Sequence, residues 1–314
     1  MKKRLLTLGK ILVTLGLVFW LIERVDWGGV RQELSEVSWP LLGLYIVFQL
    51  IGNVISARKW QIIASYKELH FTLREAFFTY MTGAFINNFL PSTIGGDAYR
   101  GLWLAKRSGA KAASLSTVVF DRFIGLWTTA LLALFLSFTL WDHIHESLPL
   151  SITLLVLSAF LVVDFIITYL YCQTWFQGFV ARISFQKVRR LLEEIIFYTK
   201  KHVWFRTSVW SALFIFFGLG LSNYTLFHAL GSTIAFLPFL AAILLVAVVS
   251  SIPISINNIG IKEWAYVAFF GLIGVSVEMA VTAALLSRFI QMFLSFIALP
   301  QYLSTREKKN VEGK

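Results

Sequence analysis

Apolar residues in this chain collect into long, nearly uninterrupted runs, with few alternating or short amphipathic stretches. Runs at about 5–22, 41–57, 114–140, 149–171, 207–230 and 279–303 approach the ~20 residues with which a helix crosses a hydrocarbon core. Two further runs, about 76–90 and 236–256, end in breaker-rich segments. The first is Asn87-Asn88-Phe89-Leu90-Pro91-Ser92-Thr93-Ile94-Gly95-Gly96-Asp97 and the second Pro253-Ile254-Ser255-Ile256-Asn257-Asn258-Ile259-Gly260.

Composition agrees with the pattern. Of 314 residues, 57% are hydrophobic and 14% charged, against the ~25% charged residues of an ordinary soluble domain. The fold class is therefore an all-α integral membrane protein. The net charge of +11 raises nucleic acid as a partner. The 28 Lys and Arg residues, however, fall mostly in short stretches between apolar runs, as membrane orientation requires, and nucleic acid is set aside. Cys172 is the single cysteine, so no intrachain disulfide is possible. Met1-Lys2-Lys3-Arg4 and the run behind it mimic a signal peptide, but Leu17, Phe19, Trp20 and Ile22 are too bulky for a cleavage site. An uncleaved first span is expected.

Basic residues then assign the sides. The N-terminus, 58–75 (Arg58, Lys59, Lys67, Arg74), 97–113 (Arg100, Lys106, Arg107, Lys111), 172–206 and the 304–314 tail are read as cytoplasmic. The 23–40 loop and Asp142–Glu146 are read as external. Because 76–96 is basic on both flanks, a single crossing there would misplace four basic residues. A re-entrant hairpin over about 76–106, turning near Pro91–Gly96, resolves the conflict. The segment 236–275 is its mirror image, dipping in from the other face. One polytopic domain over 1–314 is thus expected, with six full transmembrane helices and two opposed re-entrant hairpins; eight plain spans is the alternative. The halves are 1–171 and 207–303, separated by 172–206, in which 184–204 has the spacing of an amphipathic interfacial helix.

The two broken segments share an Asn-Asn pair, a proline and a glycine close to charge. Asp97 and Arg100 follow Gly95-Gly96, and Lys262 and Glu263 follow Gly260. Each is followed by a span carrying an arginine, Phe120-Asp121-Arg122-Phe123-Ile124 and Leu286-Ser287-Arg288-Phe289-Ile290. Such pairing is the signature of an inverted repeat. An arginine within a span costs at least ~2.5–3.5 kcal/mol unless paired or hydrated. Asp121 cannot share a helix face with its neighbour Arg122, so Asp97 and Glu263 are the candidate partners of the basic groups. The plain structural alternative is a set of inter-helix ion pairs. Asp164 and Lys10 are weaker candidates, and His143 and His145 with Asp142 and Glu146 read as a solvated loop with no metal-site spacing.

These residues resemble a known family. Asn87–Arg100, Val118-Val119-Phe120-Asp121-Arg122 and Gly260-Ile261-Lys262-Glu263-Trp264 look like the signatures of the lysylphosphatidylglycerol synthase transmembrane region, or flippase-like membrane proteins, over about 5–303. Lys262 stands where that family usually has Arg, which keeps the charge and loses bidentate geometry. The resemblance implies movement of a phospholipid or lipid-linked headgroup between leaflets. The aminoacyl-transferase domain of the larger members has no counterpart here, so no enzyme activity is expected.

The expected site comprises Asn87, Asn88, Pro91, Gly95, Gly96, Asp97, Arg100, Asp121, Arg122, Pro253, Asn257, Asn258, Gly260, Lys262, Glu263 and Arg288. In it the cations would bind phosphate, the carboxylates would orient them or carry a coupling proton, and the asparagines would add hydrogen bonds. Gly95 and Gly96 would let a headgroup approach closely. No metal or cofactor is expected, and the sequence has no ATP-binding phosphate loop. Expected partners are membrane lipids, anionic or lipid-linked, with a homo-oligomer or a lipid-synthesis protein also possible. The expected location is the bacterial inner (plasma) membrane with both termini cytoplasmic. An intramembrane lipid-headgroup transferase and a scaffold for lipid or envelope synthesis are the alternatives.

Overall fold

The computed structural model describes residues 2–89, 94–144, 146–172, 197–198, 203–252 and 254–300. Every regular element among them is helical. In chain order they are α1 (Lys2–Arg24), α2 (Trp27–Ser35), α3 (Trp39–Ser65), α4 (Leu73–Phe89), α5 (Ile94–Ser108) and α6 (Lys111–Leu136). There follow α7 (Leu148–Cys172), α8 (Val203–Phe214), α9 (Ser222–Ala229), α10 (Phe236–Ser251), α11 (Ile261–Gly271) and α12 (Val277–Ser295). A π-helical stretch, Ile215–Leu221, joins α8 to α9 without a break.

Five helical stretches are long and apolar enough to cross a membrane: Trp39–Ser65, Lys111–His143, Leu148–Ile166, Val203–Ala229 and Val277–Ala298. The 23-residue α1 matches the run expected at 5–22. The protein is a multi-pass membrane protein. Side chains facing outward bear this out. On α7, Val162, Val163, Phe165 and Ile166 are exposed, as lipid-facing residues are. The opposite extreme is α10, apolar on every side and buried from Phe239 to Val246. A helix hydrophobic all round belongs in the interior, and α10 packs there against α6, α9 and α11.

The two broken segments are helix–break–helix hairpins. Helices α4 and α5 have 17 and 15 residues, α10 and α11 have 16 and 11. At 1.5 Å per residue no arm exceeds ~26 Å, short of a ~30 Å hydrocarbon core. Within each hairpin the arms pack on each other. Small residues permit this, since lipid offers no hydrophobic drive and close backbone approach must supply the attraction. A Cβ on Gly96 would lie 2.1 Å from the Gly83 carbonyl oxygen, so α4 and α5 touch backbone to backbone. Gly52 and Gly218 do the same for α3 and the π turn, a Cβ on Gly218 falling 2.7 Å from Gly52 Cα.

Three expectations need correction. Lys59 is not in a cytoplasmic loop: α3 runs on to Ser65 and buries it, because Trp60, Ile62, Ile63 and Ala64 continue the packed face. Gly95 and Gly96 are not in the turn but, with Asp97, in the first turn of α5. The missing Gly96 Cβ makes room for α4, so its close approach is to protein. Finally, residues 203–206, grouped with the cytoplasmic segment, open α8. The interfacial helix proposed over 184–204 lies outside the described residues apart from Phe197, Tyr198, Val203 and Trp204.

Candidate functional site

The charges of the first half converge on one point. Asp121 of α6 sits between two cations from different helices. Lys59 Nζ of α3 lies 3.1 Å from Oδ1 and donates to the Asp121 carbonyl oxygen at 3.2 Å. Arg100 of α5 donates to Oδ2 from both terminal nitrogens, at 3.1 and 3.2 Å. All three side chains are at most 7% exposed. Arg100 also reaches Asp97 Oδ1 at 3.0 Å and lies over the rings of Tyr80 and Trp60, at 4.6 and 5.3 Å.

Arg122, pointing away from its neighbour, forks onto Asp97 instead: Nε to Oδ2 at 2.8 Å and a terminal nitrogen to Oδ1 at 3.0 Å. Three cations therefore share two carboxylates, leaving a formal excess of one positive charge. Arg122 is the open member, with 57% of its side chain exposed.

What it opens onto is a cavity of about 530 Å³. Helices α3, α4, α5 and α6 contribute Lys59, Asn87, Asp97, Asp121 and Arg122 to the lining, and α8 with the π turn contributes Ser211, Phe214 and Leu219. The second hairpin closes it with Ser250, Ser251 and Asn258. Ser211 Oγ and Ser250 Oγ have no hydrogen-bond partner among the described residues. Buried polar atoms are seldom left so, and two facing one cavity are suited to a polar occupant. A π turn in the wall is in keeping, since such turns concentrate at functional sites.

The second hairpin repeats the arrangement. Arg288 of α12 forks onto Glu263 Oε1 at 2.8 and 3.1 Å and donates to the carbonyls of Asn257 and Asn258, both at 3.1 Å. Glu263 Oε2 meanwhile accepts from the Gly260 amide at 2.7 Å, capping α11. The carbonyls can converge because Asn257, Asn258 and Gly260 have φ of 48°, 57° and 82°, a left-handed kink. A side chain on Gly260 would also strike Leu17 of α1, with Cβ atoms 2.4 Å apart. Lys262 donates to Ser287 Oγ at 2.9 Å and has no acidic partner within ion-pair distance among the described residues. Here too the formal balance is one positive charge in excess.

The likeness is metrical. Asp97 and Arg122 are 25 residues apart, as are Glu263 and Arg288. Arg122 lies eleven residues after the start of α6 and Arg288 eleven after the start of α12, ~16 Å along each helix. The sequence placed them eight and nine residues into their spans, because it set both helix starts too late.

Of the expected residues, Asn87, Asp97, Asp121, Arg122 and Asn258 line the cavity. Arg100 and Gly96 stand behind it as support. Gly95 sits beside them in the first turn of α5. Asn87 Oδ1 accepts from the Gly96 amide at 2.7 Å, tying the hairpin arms, and Asn88 Nδ2 donates to Ser295 Oγ at 2.7 Å, tying the hairpin to α12. Asn257, Gly260, Lys262, Glu263 and Arg288 form the second cluster, away from the lining. Asn258 joins the two: it lines the cavity, holds Arg288 by its carbonyl and donates from Nδ2 to the Ser250 carbonyl at 2.5 Å. Pro91 and Pro253 lie outside the described residues. Lys59 and Tyr80 were missed. The signal for Lys59 was the apolar spacing that continues beyond it.

Comparison with known proteins agrees with this architecture. The family profile described as "Lysylphosphatidylglycerol synthase TM region" matches residues 7–298. A "UPF0104 membrane protein" of Methanothermobacter thermautotrophicus is 23% identical, over 96% of this chain and 97% of its own. Another of that description, from Methanocaldococcus jannaschii, is 28% identical over 45% of this chain and 41% of its own.

Proposed function

The chain belongs to the lysylphosphatidylglycerol synthase transmembrane-region family, and we propose that it moves an anionic phospholipid or lipid-linked headgroup between the leaflets of the plasma membrane. The observation that carries this reading is Arg122: anchored by Asp97, it keeps more than half of its side chain exposed and lines the cavity. The Lys59 and Arg100 pairs with Asp121, by contrast, bury both partners.

In this mechanism a phosphate displaces nothing. The Asp97 fork uses Nε and one terminal nitrogen of Arg122, and the second terminal nitrogen, with its two protons, serves the ligand. The excess charge of the cluster favours an anion. Ser211, Ser250 and Asn87 supply neutral contacts. Acyl chains stay in the bilayer while the headgroup crosses, and the two hairpins, entering from opposite faces, rock against each other around the cavity. The basic ends of the helices then lie in the cytoplasm, with both termini on that side.

The test is leaflet exchange of labelled lipids in liposomes, with Arg122→Ala beside Arg288→Ala. Arg122→Ala is expected to abolish exchange with little loss of folding, and Arg288→Ala, whose acidic partner Glu263 is buried, to lower stability first. Normal exchange by Arg122→Ala refutes the reading. A chemically altered lipid would turn it toward a transferase.

A further inference from the structure

Between the ends of α3 and α8 nearest the basic loops lies a second pocket, about 290 Å³, separate from the cavity. Its polar lining is Arg58, Gln61, Ser65, His70 and Arg206, with no acidic residue among the described residues. Arg58 donates to Gln61 Oε1 at 2.5 Å, and Gln61 Nε2 donates in turn to the Phe71 carbonyl at 2.5 Å. Arg206 is held by the Tyr66 hydroxyl at 3.3 Å. Each guanidinium is thus positioned by a neutral group that leaves its charge uncompensated. Neither arginine has an acidic partner within ion-pair distance among the described residues.

Arg206 lies on α8 (Val203–Phe214), far in sequence from Arg58 on α3. Positive-inside placement explains basic residues near this face, but not two arginines from distant parts of the chain, fixed by hydrogen bonds around one concavity.

We propose that this pocket is a binding site for a phosphate group, carried by a lipid headgroup or by a soluble phosphate compound. A volume near that of ten waters at ~30 Å³ each accommodates a phosphate with a small alcohol attached. Arginine forks match its oxygens bidentately, and Gln61 and His70 can donate to the remainder. The site is distinct from the cavity because Arg58 and Lys59 are consecutive on α3 and point ~100° apart, one to each. It does not depend on the transport reading.

The full chain in nanodiscs of phosphatidylcholine is titrated with phosphatidic acid in the disc, and separately with inorganic phosphate against chloride at equal ionic strength, following tryptophan fluorescence. Arg58→Gln/Arg206→Gln is expected to weaken binding about tenfold or more, the worth of one charge-assisted hydrogen bond, with Arg74→Gln unchanged. Loss confined to phosphatidic acid supports the site as fed by lipid, and loss of phosphate binding supports a soluble ligand. If the wild type binds neither probe, or if Arg74→Gln weakens binding as much, the proposal fails. Arg58→Lys/Arg206→Lys, which keeps the charge, guards against misfolding: it should retain part of the affinity, and full wild-type affinity in both double variants overturns the site.

Discussion

Removing the carboxylate of Asp121 is the sharpest probe of how this fold tolerates charge. With Lys59 Nζ 3.1 Å from Oδ1, the attraction is about 5 kcal/mol at an effective dielectric constant near 20. Desolvation of both groups offsets most of it, so the pair stabilises little by itself. Breaking it is another matter. Asp121→Asn strands Lys59 at 7% exposure and leaves the buried Arg100 with Asp97 alone, which costs about 3–5 kcal/mol. Lys59→Met leaves Asp121 with both Arg100 contacts and costs about 1–3 kcal/mol. In Lys59→Met/Asp121→Asn the stranded cation is gone, so the double variant should fall short of the sum by about 1–3 kcal/mol. Equilibrium unfolding in bicelles, on all four proteins, gives the coupling. Additivity within about 0.5 kcal/mol would refute the reasoning, since it would mean that the two groups do not sense each other.

Other outcomes follow from particular contacts. Gly96→Ala should destabilise by about 1–3 kcal/mol through overpacking, and more than Gly83→Ala, whose Cβ meets the facing carbonyl at 3.0 Å where that of Gly96 meets it at 2.1 Å; thermal unfolding ranks them. Arg288→Lys loses the fork on Glu263 and the two carbonyl contacts, and should cost about 2 kcal/mol or more in the same assay. On α2, burial, then Glu36 and Glu278, raise the Glu33 carboxyl above its ordinary value of 4.5. The folded state therefore holds that proton more tightly than the unfolded chain, and the penalty is present above the raised value and gone below 4.5. Glu33→Gln should accordingly stabilise at neutral pH, with the gain vanishing in melts at lower pH. Finally, cysteines at Ser108 and Ser276, both exposed, with Cys172→Ser, should label from the cytoplasm and the exterior respectively. Labelling of both from one side would reject opposed hairpins.

Much of the architecture was legible because membrane insertion is decided by local, additive quantities. Run length and charge depletion identify spans whatever their neighbours do, and so the helices at 39–65, 111–143, 148–166, 203–229 and 277–298 fall where the apolar runs lie. Asn-Pro-Gly breaks likewise announce that a helix stops. The insertion cost of an arginine also pointed, one residue at a time, to Arg122 and Arg288 and to the carboxylates that now hold them.

Which way each polar group faces was not local, and only the tertiary structure decided it. Lys59 and Arg58 are equivalent to any charge count, yet a rotation of ~100° per residue sends one into an ion pair with a helix sixty residues away and leaves the other at the surface. Gly96 reads as room for a ligand until α4 is seen to fill it. Asn257 and Asn258 read as side-chain donors, but a left-handed backbone turns their carbonyls to Arg288. The cavity itself belongs to no segment. It exists because helices from both halves, each following its own local rules, leave a polar gap where they meet.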